Sequence, residues 1–247
     1  APFVAMPEVL QSVADPYART AADLSVPFDQ SIVAQIAENV KPQGAGNLVT
    51  SWTIPSVAEG PWGIGVEDHH VWISDTRLIA DHKMTKDGEY TGVSFETPWI
   101  GFGGWPADMA FDTVRNIMWQ VNTAGDLGIY GIDPATGEVV DRIISNELWA
   151  KMSQRGLAYN PDDDTFYIGG WNQKIIFHIK GPSWDQPGAI LEQWSFPVNI
   201  AGLAYHPAGV LWVTDNGQPD MIYGIDVETH KVIEQFLHPA YLYNSGA

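Results

Sequence analysis

Cysteine is absent from the 247 residues, which excludes thiol catalysis, disulfides and Cys-ligated zinc. Basic residues are scarce: 12 Lys and Arg stand against 30 Asp and Glu, a formal net charge of −18. A nucleic-acid groove needs clustered Lys and Arg, so no nucleic-acid partner is expected. The same charge disfavours docking to an anionic membrane surface, and no apolar run approaches 18 residues, so no membrane insertion is expected. The opening Ala1-Pro2-Phe3 carries no charged or apolar leader pattern, so no signal peptide is read in it; processing of a longer chain would leave such a start. There is no Gly-x-Ser-x-Gly, no P-loop, no His-Glu-x-x-His and no Rossmann fingerprint. What is present is a chain 45% hydrophobic and 17% charged, long enough for one large domain or two small ones.

The organising feature is a repeat. Gly156-Leu157-Ala158-Tyr159-Asn160-Pro161 returns as Gly202-Leu203-Ala204-Tyr205-His206-Pro207, and weaker copies stand at Asp108-Met109-Ala110-Phe111-Asp112 and Gly63-Ile64-Gly65-Val66-Glu67. A second element follows each: Val71-Trp72-Ile73, Met118-Trp119-Gln120-Val121, Phe166-Tyr167-Ile168 and Leu211-Trp212-Val213. A third is Ile129-Tyr130-Gly131-Ile132, Ile176-Phe177-His178-Ile179 and Ile222-Tyr223-Gly224-Ile225; a fourth is 139–144, 190–196 and 232–236. In the first unit the last two elements are weak, around 81–84 and 90–95. Each element is short, aromatic and β-branched, with Pro, Gly and Asp between elements. Four strands per unit of roughly 45–48 residues predict an all-β chain, a β-propeller with four complete blades.

Upstream of the first blade, Asn47-Leu48-Val49-Thr50-Ser51-Trp52-Thr53-Ile54-Pro55 matches Ala189-Ile190-Leu191-Glu192-Gln193-Trp194-Ser195-Phe196-Pro197 in pattern. It reads as a spare outer strand that arrives without its three inner strands, and the arithmetic implies a five-blade ring. Tyr241 to Ala247 would be only the lead-in to that blade. Residues 1–45 do not read as a blade: 29–40 has a capped helical stripe (Ile32, Val33, Ile36, Val40), 7–14 is a second short helix, and four prolines make the rest an extended arm. The expected domains are this arm, 1–45, and the propeller, 46–247. Two explanations of the missing strands compete. In one, the chain is a fragment of a longer protein, or its four blades close with an extra edge strand. In the other, a neighbouring chain supplies them, since an open propeller exposes strand edges that recruit other chains, and an identical chain in a head-to-tail contact would give a ring or a filament.

The unit Gly-Leu-Ala-Tyr-x-Pro, Leu-Trp-Val, Ile-Tyr-Gly-Ile-Asp resembles the broad family of NHL, YncE-like and SMP-30-like repeat propellers over about residues 47–238. Trp105-Pro106-Ala107-Asp108, Gln154-Arg155-Gly156 and Gly169-Gly170-Trp171-Asn172 resemble the propeller regions of large secreted bacterial proteins, some with a subtilisin-like protease upstream. The resemblance implies a non-catalytic module outside the cell or on its surface.

The starts of first strands and the ends of second strands share one face of a propeller. That reading gathers Trp62, Asp75, Trp105, Asn122, Arg155, Trp171, Asn172 and Asp215 on one channel rim. Tryptophan faces suit a sugar, and carboxylate and amide oxygens suit a hard cation. No cofactor is expected; if a metal binds, Ca²⁺ fits the donors. The competing reading is that these Asp and Asn side chains cap turns. SMP-30-like lactonases hold a metal with Glu, Asn and Asp; here Asp75, Asn122 and Asp215 stand in place, but the matching position in the third blade is Gly170 and no channel Glu appears. That departure counts against an enzyme. His69, His70 and His82 offer a second metal cluster or solvated turns, and the run Asp162-Asp163-Asp164 reads as a solvated loop. Of the 11 tryptophans, Trp99, Trp105, Trp149, Trp171 and Trp184 fall in loops and are the surface candidates. The expected function is structural, an assembly or protein-binding module that engages neighbours including copies of itself. The alternatives are a carbohydrate-binding adhesive module and a metal-dependent lactonase-like hydrolase.

Overall fold

The computed structural model describes residues 46–100, 103–123, 128–217 and 219–239. All of them belong to the second of two compact units, residues 43–247. The expected arm helices and the lead-in at 241–247 lie outside the described residues.

Sixteen strands form four antiparallel sheets of four, each in simple sequence order. Blade 1 holds β1 (Pro61–Val66), β2 (His70–Asp75), β3 (Ala80–Thr85) and β4 (Tyr90–Glu96). Blade 2 holds β5 (Pro106–Asp112), β6 (Ile117–Asn122), β7 (Gly128–Ile132) and β8 (Val139–Ile144). Blade 3 holds β9 (Gln154–Asn160), β10 (Thr165–Gly170), β11 (Ile175–Lys180) and β12 (Ile190–Ser195). Blade 4 holds β13 (Ile200–His206), β14 (Val210–Asp215), β15 (Met221–Asp226) and β16 (Lys231–Leu237). The chain is a four-blade β-propeller with almost no helix among the described residues; one 3₁₀ turn spans Leu148–Lys151.

Burial grades outward, as a radial fold requires. The first strand β9 is buried throughout, whereas the outer strand β16 is exposed at all but one position. The first strands pack side by side in order, β1 on β5, β5 on β9 and β9 on β13. Between the sheets lie apolar cores. Trp119, Leu157, Phe166 and Ile168 fill the space between blades 2 and 3. Tyr167, Ile176, Leu203 and Val213 fill that between blades 3 and 4. A smaller set of Trp72, Met109 and Met118 joins blades 1 and 2. The weak pattern of β3 has a physical reason: its polar Asp81 and His82 are buried and partnered, Asp81 by the Gln120 amide at 2.7 Å and His82 by the Ser94 hydroxyl at 2.7 Å.

Residues 47–55, expected as a spare outer strand, join no ladder. Among the described residues 47–54 make no hydrogen bond, because the third strand against which an outer strand would pair is not in their blade. Their burial still alternates like a strand: Trp52 and Ile54 are half-buried and Ser51 and Thr53 exposed.

Candidate functional site

The rim residues are placed by the ends of strands, and most are committed to structure. Asp75 closes β2, and its carboxylate accepts backbone N–H groups from Glu59 (2.6 Å), Gly60 (3.2 Å), Arg77 (2.7 Å) and Leu78 (3.0 Å). Burial pushes its pKa up, but these four donors outweigh burial and leave it below the ordinary range. Asp215, its counterpart at the end of β14, accepts the Asn199 N–H at 2.9 Å. There burial wins, and its pKa is raised. Both therefore pin the approach to a first strand, the turn-capping role weighed in the sequence. Asn122 closes β6 and is buried; Asn172 is exposed in the turn after β10. Among the described residues no group of three or more His, Asp or Glu side chains is arranged to hold a metal.

The structure does bring three rim residues together. The Arg155 guanidinium lies 4.3 Å from the Trp62 ring centroid and 5.0 Å from that of Trp171, uniting blades 1 and 3. Those ring faces hold a cation from the protein itself. Trp105 is half-buried at the entry to β5, where its carbonyl accepts the Thr123 N–H at 3.0 Å.

Deeper on the axis lies a residue not singled out as a site in the sequence. Asp108 Oδ2 accepts N–H groups from Leu157 of blade 3 (3.0 Å) and Leu203 of blade 4 (2.9 Å). One fully buried side chain of blade 2 thus ties the first strands of blades 2, 3 and 4 together. Burial lifts its pKa well above the ordinary range against the pull of these donors. The signal was readable: the repeat has Gly63, Gly156 and Gly202 at the matching position, and Asp only once. A Cβ on Gly63 would strike the Ala107 carbonyl, so strands approach at the axis as closely as glycine allows.

Several side chains are placed otherwise than their sequence suggested. Trp99, Trp149 and Trp171 are not surface residues but almost wholly buried. Their loops fold back over the core: Trp149 donates to the Gly188 carbonyl at 2.8 Å, and Trp99 meets Tyr130 edge-on at 5.3 Å. Only Trp184, 36% exposed, fits the surface expectation fully. Asp164 is not merely solvated. It receives both Arg115 guanidinium nitrogens at 2.8 Å, which, against the opposing effect of burial, bring its pKa down to about 2. His69 is exposed and His70 pairs with Glu67 at 2.8 Å, whereas His82 is buried inside β3.

The second candidate site is the seam between blade 4 and blade 1. At each blade the turn between third and fourth strands touches the outer strand of the blade before it. Gly137 of blade 2 lies against Phe95 of β4, and Gly188 of blade 3 against Ile143 of β8. In blade 4, His230 stacks on Trp194 of β12 at 4.1 Å. The turn of blade 1 does the same with Gly88, but its partner is Trp52. Gly46 in turn lies against Phe236 of β16. Gly46 and Gly188 share a left-handed φ, +89° and +85°, at the same offset before their matched segments. Residues 46–55 therefore occupy the outer position of a fifth sector, between blades 4 and 1.

Inside that sector the packing differs. No packing comparable to that between the other neighbouring first strands joins β13 to β1 among the described residues. Trp212 and Ile222, on the face of blade 4 turned to the seam, are half-buried. Their counterparts Trp72, Trp119, Tyr167, Ile129 and Ile176 are at most 3% exposed. On blade 1, Ile73 and Met84 are buried, while Ile64 is half-buried and Val66 is 52% exposed.

No family model matches the chain, and no curated protein matches it in sequence. Solved structures match its fold. A protein of unknown function from Bacteroides caccae aligns over 76% of this chain and 64% of its own, at 11% identity and a TM-score of 0.52. A streptogramin B lyase aligns over 75% and 56%, at 18% identity and 0.50. The Pan2 WD40 domain of Neurospora crassa aligns over 72% and 50%, at 12% identity and 0.49. The chain thus spans half to somewhat under two-thirds of each of these three structures. At these identities the likeness to the first two shows the β-propeller fold and nothing finer.

Proposed function

We propose that this propeller is a non-catalytic binding and assembly module that engages protein neighbours, copies of itself included, outside the cell or on its surface. The observation that carries the reading is the seam: an extended segment, 47–54, with no hydrogen bond among the described residues, beside an apolar sheet face that the other blades bury. Unpaired strand edges and bare sheet faces are the features by which β proteins recruit other chains. The rim argues in the same direction. Asp75 spends its lone pairs on four backbone donors, and Arg155 occupies the tryptophan faces that a sugar would use. The extracellular setting and the kinship with NHL, YncE-like and SMP-30-like propellers rest on the repeat motifs.

The test is solution mass by light scattering across a concentration series. Growth beyond 27.2 kDa supports assembly from copies of the chain. A constant 27.2 kDa at every concentration, with no change on mixing with candidate surface proteins, would overturn the reading.

A further inference from the structure

We propose that Ser94 is a nucleophile toward activated esters, with His82 as its general base, so that the outer face of blade 1 takes a covalently attached acyl group. A stoichiometric attachment of this kind needs no turnover, and it goes beyond the assembly role without depending on it.

Three side chains from three strands of blade 1 stand in line. The Ser94 hydroxyl of β4 lies 2.7 Å from His82 Nδ1 of β3. The far ring nitrogen, Nε2, lies 3.5 Å from Asp75 Oδ2 of β2, an ion-pair distance rather than a hydrogen bond. Asp75 is held ionised by its four backbone donors. A ring nitrogen that faces a carboxylate carries the proton, which leaves Nδ1 as the acceptor and the serine hydroxyl as its donor. The Tyr90 hydroxyl, also 2.7 Å from Ser94 Oγ, then donates to that oxygen. His82 is almost wholly buried, whereas Ser94 and Tyr90 are exposed. A buried base thus stands behind an accessible nucleophile.

A bulge makes the arrangement. His82 and Met84, two apart on β3, are opposed by Ser94 and Tyr90, four apart on β4. Gly92, between them, has a φ of +87°, and a Cβ there would meet nothing within 4 Å. The bulge brings Tyr90 beside Ser94 and leaves open space on the strand between them.

The set also departs from the repeat. The ladder position of His82 holds Tyr130, Phe177 and Tyr223 in the other blades, opposite Arg142, Gln193 and Gln235. Blade 1 alone pairs a base with a hydroxyl there. The same counterparts bear on access. In blades 2, 3 and 4 this row faces a preceding blade already packed against it, as Gln120 shows by bonding Asp81. Arg142, Gln193 and Gln235 are nonetheless exposed. The position of Ser94 therefore stays open whatever stands between blades 4 and 1.

In the step, Ser94 Oγ bonds to the ester carbonyl carbon while His82 Nδ1 takes the hydroxyl proton. The Tyr90 hydroxyl is placed to donate to the oxyanion. The ester C–O bond then breaks, and the leaving alcohol takes the proton from His82. The products are acyl-Ser94 and an alcohol, with no oxidant, reductant or further reactant. Asp75 acts as a positioning residue through the ring.

The probe is p-nitrophenyl acetate on the full chain, followed by nitrophenolate release and by peptide mapping of the acetyl group. Ser51 and Ser195, both exposed, are internal references. Ser94 should be acetylated at least about tenfold faster than either, and His82→Gln should slow it about a hundredfold with the references unchanged. Labelling should fall on acidification, because the base must be neutral. Asp75→Asn should move that fall to lower pH, a shift that a merely structural Asp75 would not produce. Ser94→Ala should lose the fast phase with its thermal midpoint nearly unchanged. Acetylation of Ser94 no faster than of Ser51 and Ser195 would overturn the proposal. So would an unchanged Ser94 rate in folded His82→Gln; if that variant does not fold, the wild-type comparison with the two references decides alone.

Discussion

Three of the blade-to-blade interfaces and the seam are built from the same repeat, yet among the described residues only the three are closed. Between blades 2 and 3, Trp119 is wholly buried and meets Phe166 edge-on at 5.2 Å. At the seam its counterpart Trp212 is half-buried and leans back on Phe236 of its own blade, with centroids 5.9 Å apart. The difference is not in the sequence of blade 4, which keeps Leu211-Trp212-Val213 as faithfully as any other blade. It lies in what stands opposite. In a repeat fold each unit buries its apolar face only against the next, so stability is a sum of neighbour terms and a missing neighbour leaves a prepared surface.

Four substitutions or titrations break or sharpen this contrast. The largest effect is expected for Trp119→Ala, in a closed interface, which should cost about 4 kcal/mol in chemical denaturation. Asp108→Ala comes next. It leaves the Leu157 and Leu203 N–H groups buried without their acceptor and should cost about 3 kcal/mol, with Asp108→Asn retaining part of the loss as recovered stability.

The interface of blades 1 and 2 should respond to pH through Asp81. This carboxyl lines a cavity of about 10 Å³ with Trp72, Phe95, Met109 and Met118. Burial, opposed by the Gln120 hydrogen bond and aided by the Asp75 charge, lifts its pKa from 3.8 to about 7. The folded state therefore holds the proton more tightly than the unfolded state. Its contribution is fullest below about pH 4, declines as pH rises, and is lost above about pH 7. The loss should amount to roughly 2 kcal/mol once the site relaxes. The wild-type minus Asp81→Asn difference in denaturation midpoint across pH 4–8 reads it directly; a flat difference would refute the assignment. The smallest effect is expected for Trp212→Ala at the seam, about 1 kcal/mol or less in the isolated chain. A cost equal to that of Trp119→Ala would mean the seam is closed like the rest.

Much of the fold was legible because the repeat repeats. All sixteen strands fall where the four-element unit places them, including β3 and β4, whose apolar pattern is faint. The place of residues 47–55 was legible, since Trp52 follows Trp194 and Gly46 follows Gly188 in place and φ, but the strand expected there was not found: among the described residues they join no ladder. What was not legible is long-range pairing. Trp99, Trp149 and Trp171 sit in loops by local pattern, and their burial depends on which neighbour each loop folds onto. Arg115 reaches Asp164, and Asp108 reaches Leu157 and Leu203, 49 and 95 residues away. Nothing local announces such partners, although an Asp among three glycines at one repeat position was a usable sign.

Among the described residues the outer rim has five positions while the seam behind the fifth is open. The most direct measurement is amide exchange in the monomeric chain, comparing residues 48–54 with their matched partners 190–195 in β12. Exchange of 48–54 near the rate of an unfolded peptide, with 190–195 slower by orders of magnitude, is the result expected. Equal protection of the two segments would show that 47–54 already has a ladder partner, and the account of an open fifth sector would be wrong.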